Sequence, residues 1–302
     1  MGRLWHSTAT AGTVVHVLYG CAMRVERLTG TMGARITGID VRTLDDGALA
    51  GLRALICEHE VVVIPGQSLT ALEQVAFSHR FGTPADSPFV EPSPEHPEVI
   101  KVLKQADDGE VLNFGGAWHS DFSFQPNPPS FTILHALDIP EFGGDTCFSS
   151  MTRAYTALSP AQKERLAGVQ GVHTARDAYS PRLQEYHSGL SGMTIVCDES
   201  AHDVTLHPLV RVHPETGRTV LFYNRAYVRD LVGVPDDDKQ ELLAFLHLHT
   251  TDARFGYRHR WTVGDLVIWD NRSTQHYALN DYVGSRRELH RTTVAGEVPI
   301  PA

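Results

Sequence analysis

No stretch of 18 consecutive apolar residues occurs in the 302-residue chain, so a membrane-crossing helix is not expected. Cysteine is scarce: Cys21, Cys57, Cys147 and Cys197 are scattered, with no Cys-x-x-Cys pair. That spacing excludes a cysteine zinc cluster and a dense disulfide framework, and it points to a reducing, cytoplasmic setting. Basic residues are outnumbered, 26 against 36 acidic, for a net charge of −10. Such a chain is a poor partner for nucleic acid or an anionic membrane, although a locally basic pocket can still hold a small anion. Repeats, low-complexity tracts and interdomain linkers are absent too. The charged fraction of 21% and hydrophobic fraction of 42% are those of a folded globular protein, which sets aside disorder, collagen and coiled coil. Histidine runs the other way. Its 17 copies belong to the residue type that binds metals and carries protons near neutral pH.

The first 22 residues carry little. Residues 11–22 are short and mildly apolar, and Leu18-Tyr19-Gly20-Cys21 faintly resembles a lipoprotein cleavage site. With only Arg3 as a positive leader and His16 inside the apolar stretch, a signal peptide is not the preferred reading. Residues 1–22 read as a disordered tail or a start codon placed too early, and 23–302 as a single domain.

Within that domain β and α signals mix. Residues 34–41 and 61–65 are β-branched and bounded by Gly or Pro, hence strands. Between them 45–58 is helical, with Leu49, Leu52, Leu55 and Ile56 on one face. Thr70 and Glu73 form a capping box that opens a helix ending near Gly82. Five prolines over 83–98 predict a loop. Strands are expected at 99–103, 131–137, 146–149, 266–269 and 289–295, and helices at 158–166 and 236–249. Pro214-Glu215-Thr216-Gly217 predicts a hairpin between 209–213 and 219–223. Residues 174–205, polar and aperiodic, read as a lid or a disordered insertion.

The chemistry starts at Trp118-His119-Ser120-Asp121. In extended chain, residues i and i+2 point the same way, so an imidazole and a carboxylate converge. Alone, His-x-Asp is common and usually a surface pair. A second histidine from another strand would complete two His and one carboxylate, a set that leaves metal positions open, as in non-haem Fe(II) oxygenases. His276 is the best candidate. A 2-oxo acid chelating such a metal needs a fixed cation for its far carboxylate, and the fork of Arg suits it. Arg287 and Arg291 lie four apart on the last expected strand, so on one face.

These segments, with Gly143-Gly144-Asp145-Thr146, His207 to Pro214, Trp269-Asp270-Asn271-Arg272 and Thr274-Gln275-His276, resemble the taurine/2,4-D dioxygenase family of Fe(II)- and 2-oxoglutarate-dependent oxygenases. The resemblance runs from about Met23 to Pro299. It implies a mainly β, α+β fold: a double-stranded β-helix (jelly-roll) core with flanking helices. It implies His119, Asp121 and His276 as metal ligands. Thr146 and Arg287 would hold the far carboxylate of 2-oxoglutarate, and Trp269 would line that pocket. Arg291 would meet the substrate's acid group or the C1 carboxylate of 2-oxoglutarate. The expected cofactors are Fe(II), 2-oxoglutarate and O2. Asp121 disfavours halogenation, which needs a small residue at that position, whereas desaturation or natural-product tailoring uses the same triad. A non-enzymatic 2-oxoglutarate-binding module and a zinc hydrolase are the competing classes. Before the motif, Phe114, Gly115 and Gly116 leave room for a bulky group and are expected to line the substrate site. The substrate is then a small anionic organic molecule of aryloxyalkanoate, sulfonate or alkyl-sulfate type. The expected partners are that small molecule and, for assembly, further copies of the chain as a dimer or tetramer.

Overall fold

All four residues of Val61–Ile64 are buried valine or isoleucine, which a strand can be only if both its faces are covered. Val62 and Ile64 pack with the helix residues Leu52, Leu55, Ile56 and Phe77. Val61 and Val63 pack in a second cluster with Leu134, Ala136, Phe148, Val267, Trp269 and Leu289. The sheet that holds Val61–Ile64 therefore has helices on one face and another sheet on the other.

The computed structural model describes the backbone of residues 7–10, 13–18, 21–109 and 113–302, with side chains from Met23 onward in those ranges. It is mainly β with few helices. The large sheet has nine strands, in the order Ser7–Thr10, Thr13–Leu18, Cys21–Arg27, Ala34–Thr37, Val61–Ile64, Leu266–Asp270, Phe131–Asp138, Arg287–Val294 and Ile100–Lys104. All neighbours are antiparallel except Ala34–Thr37 beside Val61–Ile64, which run parallel. A smaller antiparallel sheet orders Gly256–His259, Thr146–Ser150 and Thr274–Ala278. Its Phe148 meets Trp269 of the large sheet with ring centroids 5.5 Å apart. The chain alternates between the two sheets, from Phe131–Asp138 to Thr146–Ser150, and later from Leu266–Asp270 through Thr274–Ala278 to Arg287–Val294.

Helix ends follow the local chemistry. Asp45 accepts from the Ala48 N–H at the start of Asp46–His59. Thr70 and Glu73 form the expected capping box on Ala71–His79. That helix stops before Gly82 because Arg80–Gly82 closes in tight turns, with the Arg80 and Gly82 N–H groups donating to Phe77 and His79. The expected hairpin is present, Val210–Val212 paired with Thr219–Leu221. Helix 158–166 is shorter, Pro160–Leu166, because Ser159 caps it with Pro160 at its first position.

Several elements depart from expectation. Thr274–Ala278, Gln170–His173, Thr205–Pro208, Val228–Val232 and Gly256–His259 are strands with little apolar alternation. Their pairing comes from tertiary partners rather than from their own pattern. Arg287–Val294 starts two residues earlier than expected, which brings Arg287 into the sheet. Residues 1–22 read from the sequence as a disordered tail or a start codon placed too early. The described backbone there forms a hairpin, Ser7–Thr10 with Thr13–Leu18, added to Cys21–Arg27. The β-branched Thr13, Val14, Val15 and Val17 favour that extended state. The rest of that expectation lies outside the described residues.

Candidate active site

His119 and His276 form an isolated antiparallel bridge between the Trp118 motif and the Thr274–Ala278 strand. Each donates its N–H to the other's carbonyl, at 2.9 and 2.7 Å. Directly opposed residues of such a pair project to one side, and the two rings lie 4.1 Å apart. Ser120 alternates to the far side, where its hydroxyl donates to Thr274 O at 2.6 Å. Asp121 returns to the histidine side. Its Oδ1 is 3.5 Å from His119 Nε2 and 3.8 Å from His276 Nε2. All three side chains are buried, and one ligand atom from each lies within 4.8 Å of the others. The 155-residue gap is closed by the return of the chain across the small sheet.

The protonation states suit metal binding. His119 Nδ1 is 2.7 Å from Ala117 O and donates to it, which leaves the Nε2 lone pair aimed at the centre. Burial, then the neighbouring His119, holds His276 well below its ordinary pKa, so it is a neutral imidazole. Burial would raise Asp121, but the Arg291 guanidinium 3.1 Å away outweighs it and keeps the carboxylate ionised. Two imidazoles and one carboxylate fit a divalent first-row metal.

Arg287 and Arg291 share the inner face of their strand with Leu289 between them, and each arginine is 4% exposed. Arg291 Nη2 lies 3.1 Å from Asp121 Oδ1, an ion-pair contact off hydrogen-bond alignment, so Nε and Nη2 are both left without a hydrogen-bond partner. Its guanidinium stands 4.9 Å over the Phe122 ring. Phe122 is held at a φ of 42°, a conformation disfavoured for a bulky residue. Among the described residues no carboxylate lies within ion-pair distance of Arg287. Burial pushes its pKa down, and its guanidinium lies 5.7 Å from the Trp261 ring. Trp261 Nε1 in turn donates to Thr146 Oγ1 at 3.0 Å, so Thr146 and Arg287 meet around one indole. Gly144 must be glycine there: its φ is 68°, and a Cβ would sit 3.0 Å from Arg287 Cδ.

A cavity of about 320 Å³ opens at the centre. Of the residues singled out in the sequence, His119, Asp121, Arg291, Phe114, Gly115 and Gly116 line it, whereas His276, Thr146 and Arg287 do not. A Cβ on Gly115 would press on His119 Cε1 at 3.4 Å. The opposite wall comes from Tyr179, Leu183, Tyr186, His187, Leu190 and Ile195. This is the 174–205 segment, which carries two four-residue helices, Arg176–Tyr179 and Gln184–His187. Of its Arg176, Tyr179 and Arg182, only Tyr179 lines the cavity. Arg176 and Arg182 pair with Asp177, and the buried His173 meets the Ser123 hydroxyl instead. Trp269 is not among the cavity-lining residues. It is buried beneath His276, 4.6 Å between rings.

The other histidine motif is structural. Cys57, His213 and Asp270 also gather within 4.8 Å. His213 Nδ1, however, accepts from the Glu215 and Thr216 N–H groups, so Nε2 donates to Asp270. Arg272 grips both Asp270 oxygens and reaches Cys57 Sγ at 3.6 Å. Neither nitrogen of His213 and neither oxygen of Asp270 is left free for a metal. His207 donates to Gln125 O. Sequence reasoning missed Thr132, the stacking of Phe122 under Arg291, and Tyr227, whose ring stands edge-on to His119. The grip of Asn271 on Asp121 was foreshadowed only by the Trp-Asp-Asn-Arg run.

Comparison with known proteins agrees with this geometry. Residues 24–293 match the model of the taurine catabolism dioxygenase TauD, TfdA family. An alkylsulfatase of Acinetobacter baylyi is 36% identical over 283 residues, 93% of this chain and 87% of that one. The alpha-ketoglutarate-dependent 2,4-dichlorophenoxyacetate dioxygenase of Cupriavidus pinatubonensis is 34% identical, covering 88% of this chain and 96% of that one. A crystal structure of a taurine dioxygenase from Burkholderia xenovorans superposes with a TM-score of 0.77 at 34% identity, over 92% of this chain and 93% of that one. By sequence, by fold and by the extent of both matches, the chain belongs to the TauD, TfdA dioxygenase family.

Proposed function

We propose that His119 Nε2, Asp121 Oδ1 and His276 Nε2 hold Fe(II), that Arg287 and Thr146 hold the far carboxylate of 2-oxoglutarate, and that the cavity takes a small anionic organic substrate. The observation that carries the reading is the convergence of three ligand atoms beside two buried arginines that lack sufficient anionic partners. The paired sheets are read as a double-stranded β-helix, supported by the repeated crossing of the chain between them. When bound, Fe(II) and 2-oxoglutarate consume O2, release succinate and CO2, and deliver one oxygen atom to a substrate C–H. The residues of the chain do the rest. Arg287 supplies a fixed fork for a carboxylate, and the Thr146 hydroxyl adds a donor. Arg291, 3.1 Å from Asp121 Oδ1 and with Nε and Nη2 lacking hydrogen-bond partners, would be free to take an anion in the cavity were that carboxylate to hold a metal. Burial around the centre keeps water from the reacting carbon.

The substrate is read as a sulfonate, alkyl sulfate or aryloxyalkanoate, its acid group on Arg291 and its body against Phe114, Gly115 and Tyr179. Hydroxylation of a carbon that bears an ester or ether oxygen gives a product that collapses with C–O cleavage. We place the enzyme in a reducing cytoplasm, consistent with the unpaired Cys57, Cys147 and Cys197. Among the described residues no helix is long and apolar enough to cross a membrane. The test is a screen of carboxylates, sulfonates and alkyl sulfates for substrate-dependent succinate release. Release stimulated by one acid and not by its neutral ester supports the reading. Binding of 2-oxoglutarate with no succinate from any member of the screen contradicts it.

A further inference from the structure

Thr132 stands directly across from Trp269 in the pairing of Phe131–Asp138 with Leu266–Asp270, so both side chains point inward beneath the metal ligands. Between them the hydrogen-bond directions leave no freedom. The indole Nε1 of Trp269 is a donor only, and it lies 2.9 Å from Asn271 Oδ1. The Asp121 N–H reaches the same oxygen at 3.3 Å. The Asn271 amide is thereby oriented, and its Nδ2 faces Thr132 Oγ1 at 2.8 Å. Since Nδ2 donates, the Thr132 hydroxyl must accept there, and its own proton goes to Asp121 Oδ2 at 2.6 Å. Every member of this chain is buried. Oδ2 is committed, and only Oδ1 is left facing the two histidines.

We infer that Thr132 and Asn271 are positioning residues that decide which oxygen of Asp121 meets the metal, with the Trp269 indole setting the direction of the relay. The carboxylate is held to one-oxygen binding. It cannot rotate to offer both oxygens without breaking the Thr132 bond and stranding the buried Asn271 amide. The same Trp269 ring packs against His276, so one side chain steadies two of the three ligands. The inference rests on the metal reading above and assigns a cause to its geometry.

The test uses Co(II) alone, added to the full chain, read by titration calorimetry and by the visible ligand-field spectrum, with thermal unfolding of each metal-free variant alongside. Thr132→Val keeps the shape and removes the hydroxyl. Its expected effect is a loss of Co(II) affinity of roughly 10–100-fold, the usual cost of an outer-sphere partner, together with a changed spectrum. Thr132→Ser should restore both. Trp269→Phe keeps a ring on His276 and removes the N–H, and should shift affinity and spectrum in the same direction by less. A residue that served only folding would lower the unfolding temperature and leave Co(II) affinity in the folded protein unchanged. That result, or failure of Thr132→Ser to rescue, overturns the inference. If Thr132→Val does not fold, a wild-type Co(II) affinity and spectrum in Trp269→Phe overturn it instead. Wild-type protein that takes up no Co(II) overturns the metal reading, and the inference with it.

Discussion

The two walls of the cavity are built on different principles. On one side His119 and Arg291 stand on paired chain and Asp121 in the turn that follows the His119 bridge, all buried, with partners that are buried in turn. On the other, Tyr179, Leu183, Tyr186, His187, Leu190 and Ile195 come from one continuous excursion. That excursion leaves from the strand Gln170–His173 and returns on Thr205–Pro208, which pair so that His173 faces Thr205. It is held by its own small cluster, in which Tyr179, Leu190, Ile195 and Ala201 pack with Tyr227, by a bridge from Ile195 to Val90, and by bonds such as Gln184 to Ile195 and Cys197, and Ser191 to Asp108. The difference teaches where each property resides. Chemistry needs fixed ligand geometry and is placed on the sheets. Substrate choice tolerates change and is placed on a segment that can vary without disturbing them.

The largest effect expected from breaking this contrast is on the sheet side. His119→Ala, Asp121→Ala or His276→Ala should abolish succinate release and lower Fe(II) or Mn(II) affinity beyond the roughly 100-fold typical of outer-sphere partners, measured by titration. Next comes Arg287→Ala. Removing one half of a buried charge pair costs about 3–5 kcal/mol, so the KM for 2-oxoglutarate should rise by roughly 10²–10⁴-fold, while Thr146→Ala should cost about 1–3 kcal/mol. Unchanged 2-oxoglutarate affinity in Arg287→Ala would move that pocket elsewhere. Arg291→Gln sits at the boundary between the walls. It should raise the KM of the organic acid far more than that of 2-oxoglutarate, and a neutral ester should distinguish poorly between variant and wild type.

The foot of the excursion gives a pH test. Burial pushes His207 down to about 4, and burial, with the neighbouring His207 and Arg211, holds His173 well below its ordinary value. In the unfolded chain both regain protons near pH 6.5. The unfolded state then binds more protons than the folded one, so stability is full above pH 6.5 and falls as pH drops toward 4. Each histidine costs on the order of 1 kcal/mol per pH unit in that window, seen as a falling unfolding temperature of the metal-free protein. His207→Gln should flatten the curve. The smallest effect is expected at Tyr186, which is 47% exposed on the outer wall. Tyr186→Ala should change stability by no more than about 0.5 kcal/mol and alter only the substrate's KM.

The contrast also explains what the sequence made legible. The candidate ligands His119, Asp121 and His276, the two arginines and the two glycines stood out because their chemistry is uncommon and their spacing fits strands. The core strand 61–64 was legible from four β-branched residues, and the helix at Ala71 from its capping box. Thr274–Ala278 was not, since Thr-Gln-His-Tyr-Ala has no apolar alternation and becomes a strand only against Thr146–Ser150. Thr132 was invisible for a different reason: a threonine in an apolar strand reads as packing until its cross-strand neighbour is known. Trp269 was expected at the 2-oxoglutarate pocket but lies under His276 instead, because the register that opposes it to Thr132 turns its indole toward Asn271.

The central claim is that one face of the sheets carries two coupled sites, a metal on His119, Asp121 and His276 and a dicarboxylate anchored by Arg287. Calorimetric titration with Mn(II), followed by 2-oxoglutarate, under anaerobic conditions tests it most directly. The account predicts one equivalent of Mn(II), then one of 2-oxoglutarate whose affinity depends on the metal. It also predicts loss of both in Asp121→Ala and loss of the second alone in Arg287→Ala. Equal 2-oxoglutarate binding with and without metal, or undiminished binding by Arg287→Ala, would contradict it.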